Sequence, residues 1–149
     1  MAAGSGLTAA ADASLTRTIA GVTSGAYSTP ANNYVACYTT QFTAAAKAGA
    51  TEWLAASDTA YARQAMGATG TGWTIAAYAS GVGVVWNNTN TITQPAVTGT
   101  AQTLFAIGFC DALTVGNINF FSDLASSAPV GLGVQVILTA STGVVFTTY

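Results

Sequence analysis

The chain has 149 residues, one domain's worth, and only eight are charged: Asp12, Arg17, Lys47, Glu52, Asp58, Arg63, Asp111 and Asp123. That is 5% charged with a net charge of −2, where an ordinary soluble domain carries about 25%, and the mean hydropathy is +0.47. Three scattered cations cannot neutralise a run of phosphates, which excludes nucleic acid as a partner. The absence of histidine excludes the commonest general base and metal ligand.

Taken in chain order, residues 8–20 are Ala-rich, with Leu15 and Ile19 four apart and Ala11 on the same stripe, so a short N-terminal helix is expected there. Gly21 follows as its stop, and residues 23–33 are rich in turn formers. Residues 34–40 (YVACYTT) are aromatic and β-branched and predict a strand. Residues 43–66 are Ala-rich, with room for one or two helical turns around residues 52–56 and then a loop through Tyr61 and Arg63.

From Trp73 onward the pattern turns to strands. Residues 73–79 alternate, and residues 82–86 form a second run. Asn87-Asn88-Thr89-Asn90 is a turn cluster, and residues 91–94 read as the returning arm of a hairpin. Residues 95–102 read as a loop. Residues 104–110 (LFAIGFC) are almost continuously apolar, as expected of a central strand covered on both sides. A turn over 111–117 and a short strand over 118–121 follow, and runs at 134–139 and 144–148 end the pattern, separated by Ser141-Thr142-Gly143. The expected fold is mainly β, an antiparallel sandwich or jelly-roll-like barrel with a short N-terminal helix. A single domain over 1–149 is expected, with 1–22 helical and 33–149 the β-rich body.

The apolar runs at 104–110 and 130–138 fall far short of the roughly 20 residues that cross a bilayer, so no membrane partner is expected. The stretch MAAGSGLTAAADASL has no positive n-region and is interrupted by Asp12, so no secretory signal is expected. Use in a cytoplasm, or in a particle assembled there, follows. Cys37 and Cys110 both lie in apolar strand-like runs and read as buried, reduced thiols, with a disulfide between them the weaker alternative.

No catalytic, cofactor-binding or metal-binding residue is expected. Asp111 and Asp123 are the carboxylates flanking strands in the β half; both read as caps of turn amides, and a glycosidase pair made of these two is the lesser alternative. A serine nucleophile would have only Lys47 as its base. Residues 67–72 (GATGTG) lack the Lys-Ser/Thr ending of a phosphate loop and precede a strand, so a hinge or hairpin turn is the better reading. Asn87-Asn88-Thr89 matches a glycosylation sequon, which has no meaning without secretion. Trp53, Trp73, Trp86 and the six tyrosines could line a sugar platform, but Trp73 and Trp86 fall in strand-like runs and read as core.

In sequence order, the strand at residues 34–39 (YVACYT), the element Tyr61-Ala62-Arg63-Gln64, the segment Ile92-Thr93-Gln94-Pro95, the strand 106–112 (AIGFCDA), the element 116–121 (GNINFF) with Leu124, and the run 130–138 are similar to small tailed-phage virion proteins, a tail-fibre and capsid decoration protein family. Ala60 stands where that family's Gly-Tyr-Ala-Arg element has glycine, residues 43–57 depart from its pattern, and residues 142–149 are an added strand. The resemblance implies an all-β structural protein on a phage particle and carries over no catalytic residues. A chain this size has a radius of gyration of about 15 Å and neither a repeat nor a rod-forming element. A capsid decoration (cement) protein is therefore expected, a homo-oligomer, trimeric by analogy, seated on the major capsid protein. A minor tail or tail-fibre-associated protein and a carbohydrate-binding host-attachment module are the alternatives.

Overall fold

Alternation and β-branched content give ten strands among the described residues, and every pairing is antiparallel. The structure, a computed structural model, describes residues 5–7, 32–42, 50–68, 72–77, 84–140 and 145–148. In chain order the strands are β1 (Ser5–Leu7), β2 (Asn32–Tyr38), β3 (Gln64–Ala68), β4 (Trp73–Ala77), β5 (Val84–Asn88), β6 (Ile92–Thr93), β7 (Gln102–Cys110), β8 (Ile118–Val130), β9 (Ile137–Leu138) and β10 (Val145–Thr148). The mainly β, antiparallel expectation is met. The N-terminal helix expected over 8–20 lies outside the described residues, but within the segment 1–22 expected to be helical, Ser5–Leu7 form a strand paired with β8.

A five-stranded sheet in the order β1-β8-β7-β2-β3 is the frame; β10-β5-β4 form a second sheet and β6-β9 a two-stranded ribbon. The apolar run at 104–110 becomes β7, third of the five, with β8 on one side and β2 on the other. Because side chains alternate across a strand, β2 splits its residues between two cores. Val35 and Cys37 join Met66, Ile107, Phe109 and Trp53 on one face. Ala36 and Tyr38 join Ala106, Cys110, Phe121 and Phe42 on the other. A bulge between Leu104 and Ala106 resets the alternation. Leu104 therefore lies in the same core as Ile107 and Phe109.

The first core is closed by the ribbon, through Ile92 and Leu138, and by the segment before β7, through Val97. Past β6 the ladder continues irregularly: Gln94 N–H donates to the Val136 carbonyl at 2.9 Å and Val97 N–H to Val134 at 3.0 Å. Asn88, fully buried at the end of β5, ties the ribbon down by donating through Nδ2 to the carbonyls of Asn90, Leu138 and Thr139.

Five sequence expectations are corrected. Residues 84–88 and 92–93 do not form a hairpin; β5 is already flanked by β4 and β10, so β6 pairs with β9. Of the two readings of 67–72, hinge or hairpin turn, the hairpin does not hold: residues 67–68 belong to β3, and the next strand, β4, lies in a different sheet. The helix expected around 52–56 is a single turn one step later, with Ser57 and Asp58 N–H both donating to the Leu54 carbonyl, while Glu52 forms a β-bridge to Tyr38. The short strand expected at 118–121 continues as β8 to Val130. The strand expected over 134–139 narrows to the two residues of β9.

Candidate interaction surface

β3 pairs with β2 only as far as Val35, which leaves the next residues of β2 without a neighbour on that edge. Residues 51–53 take over. Trp53 N–H donates to the Cys37 carbonyl at 2.9 Å and Thr39 N–H to Thr51 at 2.8 Å. The remaining amide, Cys37 N–H, donates to the Tyr61 hydroxyl at 3.1 Å, so a side chain stands in for a strand. A buried amide must find an acceptor, and Tyr61 is held in place by stacking on Trp53, with centroids 5.9 Å apart and planes 3° from parallel.

Tyr61 in turn donates to Glu52 Oε1 at 2.8 Å. Arg63 grips the same carboxylate with two prongs, Nε to Oε1 at 2.8 Å and Nη2 to Oε2 at 2.7 Å. Its side chain is 9% exposed and that of Glu52 24%. The fork is the strong form of a charge-assisted pair. The Glu52 hydrogen bonds hold the guanidinium pKa above its already high ordinary value, against the opposing effect of burial. The third prong, Nη1, reaches the carbonyls of Ala112 at 2.8 Å and Val115 at 2.6 Å. Arg63 therefore fastens the β7–β8 loop to the segment that completes the edge of β2.

That loop, residues 111–117, is shaped from within as well. Asp111 accepts from Asn117 N–H at 2.7 Å and from Asn117 Nδ2 at 2.9 Å, so the expected capping of turn amides is found. Gly116 has φ of 80°, and a Cβ there would run into Asp111 Oδ1. Val115 beside it has φ of 57°, a region that β-branched residues avoid at a cost of about 1–3 kcal/mol. Its side chain is 85% exposed and Leu113 is half exposed.

Asp123 stands within a strand, where a turn was expected. It lies within β8 opposite Ala106, buried, and accepts from Phe42 N–H at 3.0 Å. Asp111 follows Cys110, four residues along β7 from Ala106, which is about 14 Å of strand. A retaining carboxylate pair requires about 5 Å, and the structure does not bring these two together. Trp53 is buried under Tyr61 rather than displayed; the side chains of Trp73 and Trp86, and residue Lys47, lie outside the described residues. Among the described residues no group of three or more His, Cys, Asp or Glu side chains is placed to hold a metal ion, and no helix is long and apolar enough to cross a membrane.

The two thiols are free and buried. They fall in opposite cores, Cys37 facing Ile107 across the ladder and Cys110 facing Tyr34, so the sheet itself separates them. Burial pushes the Cys37 thiol up to about 12, helped by the nearby Glu52 charge. Burial likewise raises Cys110 to about 11, against the pull of Arg63. Asp58 is a buried carboxylate. Desolvation raises its pKa, but donations from Thr98 N–H and Oγ1, Ala60 N–H and Gly99 outweigh it and leave the net shift downward. Its role is to tie the turn after Trp53 to the segment before β7. Sequence reading singled out neither this tie nor the Glu52–Arg63 fork; the signal that could have found the fork was the Tyr61-Ala62-Arg63 element.

These features hold the 111–117 loop and the edge of β2 in place. Residues 8–145 match the family described as Podophage GP4 fiber I protein gp80. The chain belongs to that family. It is thus a member of a phage fibre and virion protein family, and the virion is the location the family implies. Among curated proteins none matches the chain. Within the family match lie the strands β2 to β9, the Glu52–Arg63 fork and the 111–117 loop.

Proposed function

We propose that this chain is a non-catalytic structural subunit of a podophage particle, working by packing neutral, partly apolar surfaces against other protein copies. The family match over residues 8–145 is the observation that supports it. The treatment of charge agrees: among the described residues Asp58 and Asp123 are buried, Glu52 and Arg63 are paired, and Asp111 is folded back on Asn117. Such an exterior suits contact with itself and with neighbouring virion proteins, without nucleic acid or membrane. A fibre-associated or tail address is the first reading, favoured by the family description.

A second reading, a capsid decoration subunit, trimeric and seated on the major capsid protein, is favoured by a different observation. The described strands close into short sheets, with no repeated rod-forming unit among them. Each bound copy would stabilise the shell state it prefers by mass action. Mass spectrometry of DNA-filled heads separated from tails decides between them. A few copies confined to the tail fraction support the fibre reading, and hundreds in the head fraction support decoration. Absence of the chain from purified particles refutes both.

A further inference from the structure

Where β3 stops pairing, at Val35, the edge of β2 is finished by pieces from two distant parts of the chain. From one side come Trp53, whose N–H donates to the Cys37 carbonyl at 2.9 Å, and Tyr61, whose hydroxyl accepts from Cys37 N–H. From the other comes Gln94, whose Nε2 donates to the Val35 carbonyl at 3.3 Å. These contacts share one edge, because the backbone polar groups of residues two apart on a strand point the same way.

Two polar atoms at this join are left over. Trp53 is 3% exposed and Gln94 4%, yet among the described residues nothing accepts from Trp53 Nε1 and nothing donates to Gln94 Oε1. A buried polar group without a partner is costly, and native proteins keep few of them. Turning the Gln94 amide over does not help, since the Val35 carbonyl needs a donor opposite it and so fixes Oε1 as the free acceptor. The indole Nε1 can only donate. One orphan is therefore a pure donor and the other a pure acceptor, and water serves both, accepting from the first and donating to the second. The spacing suits it. The carbonyls that anchor the two residues are one strand repeat apart, about 7 Å, and a bridging water joins atoms about 5.7 Å apart. A third partner stands on the same edge. The Tyr61 hydroxyl donates to Glu52 and accepts from Cys37, which leaves one lone pair, and a buried water takes about two to four partners.

We infer that an internal water molecule is bound at this edge, accepting from Trp53 Nε1 and donating to Gln94 Oε1. It joins the segment that carries Trp53 and Tyr61 to the one that carries Gln94, and completes an edge that protein groups alone do not. Enclosed by two buried side chains, it exchanges with bulk solvent when the edge opens, together with the Cys37 amide. The inference concerns the core, so it stands or falls independently of the structural-subunit reading above.

An atomic-resolution crystal structure of the full chain tests it. Density for a water within about 2.7–3.2 Å of both atoms is the expected result. A direct Trp53–Gln94 bond, a protein group satisfying either atom, a water touching just one of them, or no density between them overturns the inference. Nuclear Overhauser spectroscopy adds a solution readout. The indole N–H of Trp53, assigned from its loss in Trp53→Phe, should show a cross-peak to water with the sign of a long-lived, protein-bound molecule; the opposite sign, or no cross-peak, also overturns it. Gln94→Met keeps the length of the side chain and removes the acceptor, so the cross-peak should disappear, and its persistence in a folded Gln94→Met variant removes Gln94 from the site. If that variant does not fold, the wild-type density and cross-peak still decide.

Discussion

At Gly108 the backbone of β7 passes directly under the Tyr38 ring, and a Cβ placed there would lie 2.5 Å from the ring's Cε2. Tyr38 cannot retreat: it is buried, tilted against Phe42 with centroids 4.8 Å apart, and its hydroxyl lies 3.9 Å from Cys110 Sγ. Gly108→Ala is therefore expected to destabilise by about 1–3 kcal/mol through overpacking, read as a lowered urea midpoint at unchanged slope. The thiols give a second expectation at this scale. An unfolded cysteine ionises near about 8.5, whereas the folded values are about 12 for Cys37 and about 11 for Cys110. Between those limits the unfolded state has lost protons that the folded state keeps, so stability is full below about pH 8.5 and falls as pH rises. Denaturation midpoints measured from pH 7 to 10 should decline in the wild type and stay flatter in a Cys37→Ala, Cys110→Ala variant. Neither thiol should react with a thiol reagent until the protein unfolds.

Among the elements, the edge of β2 is the most exacting, because a strand, a loop and one phenol share its hydrogen bonds. Tyr61→Phe removes the acceptor of Cys37 N–H and should cost about 1–3 kcal/mol, with faster hydrogen exchange at that amide in particular. Arg63→Ala strands the Glu52 carboxylate and frees the 111–117 loop, with an expected cost of about 3 kcal/mol. Arg63→Lys should recover less than half of it, since an ammonium cannot fork. How much of this could be read beforehand followed the range of the signal. β7 was legible because a strand covered on both faces needs no polar alternation, and β2 because its aromatic and β-branched run is local. β3 was not, since Gln64-Ala65-Met66-Gly67-Ala68 has little strand propensity and is held by β2. The second half of β8 was hidden by Ser126, Ser127 and Pro129, residues that β7 nevertheless brackets by pairing Ala106 with Asp123 and Gln102 with Val130. The Asp111 cap could be foreseen because Gly116 and Asn117 are near in sequence. The reach of Arg63 to Ala112 and Val115 spans about 50 positions, beyond any local pattern.

For the whole molecule, sparse charge sets how copies behave together. Apolar and neutral-polar contacts are not screened by salt, so the self-association of the wild type should change little between about 50 mM and 1 M sodium chloride in sedimentation velocity. Dissociation on raising salt would show that ionic contacts dominate instead. The same economy of charge is visible inside the chain, where most described charges face a partner.

The pairing of Tyr34 with Cys110 also has a consequence for biosynthesis. β2 leaves the ribosome with its central partner some 76 residues unmade, a delay on the order of 4–15 s at ordinary elongation rates. During that interval its Val-Ala-Cys-Tyr stretch is an unpaired apolar segment, open to capture by chaperones or by nascent neighbours on the same messenger. Folding of the central sheet thus begins late in translation, and clustered synthesis of many copies is where mispairing between chains would start.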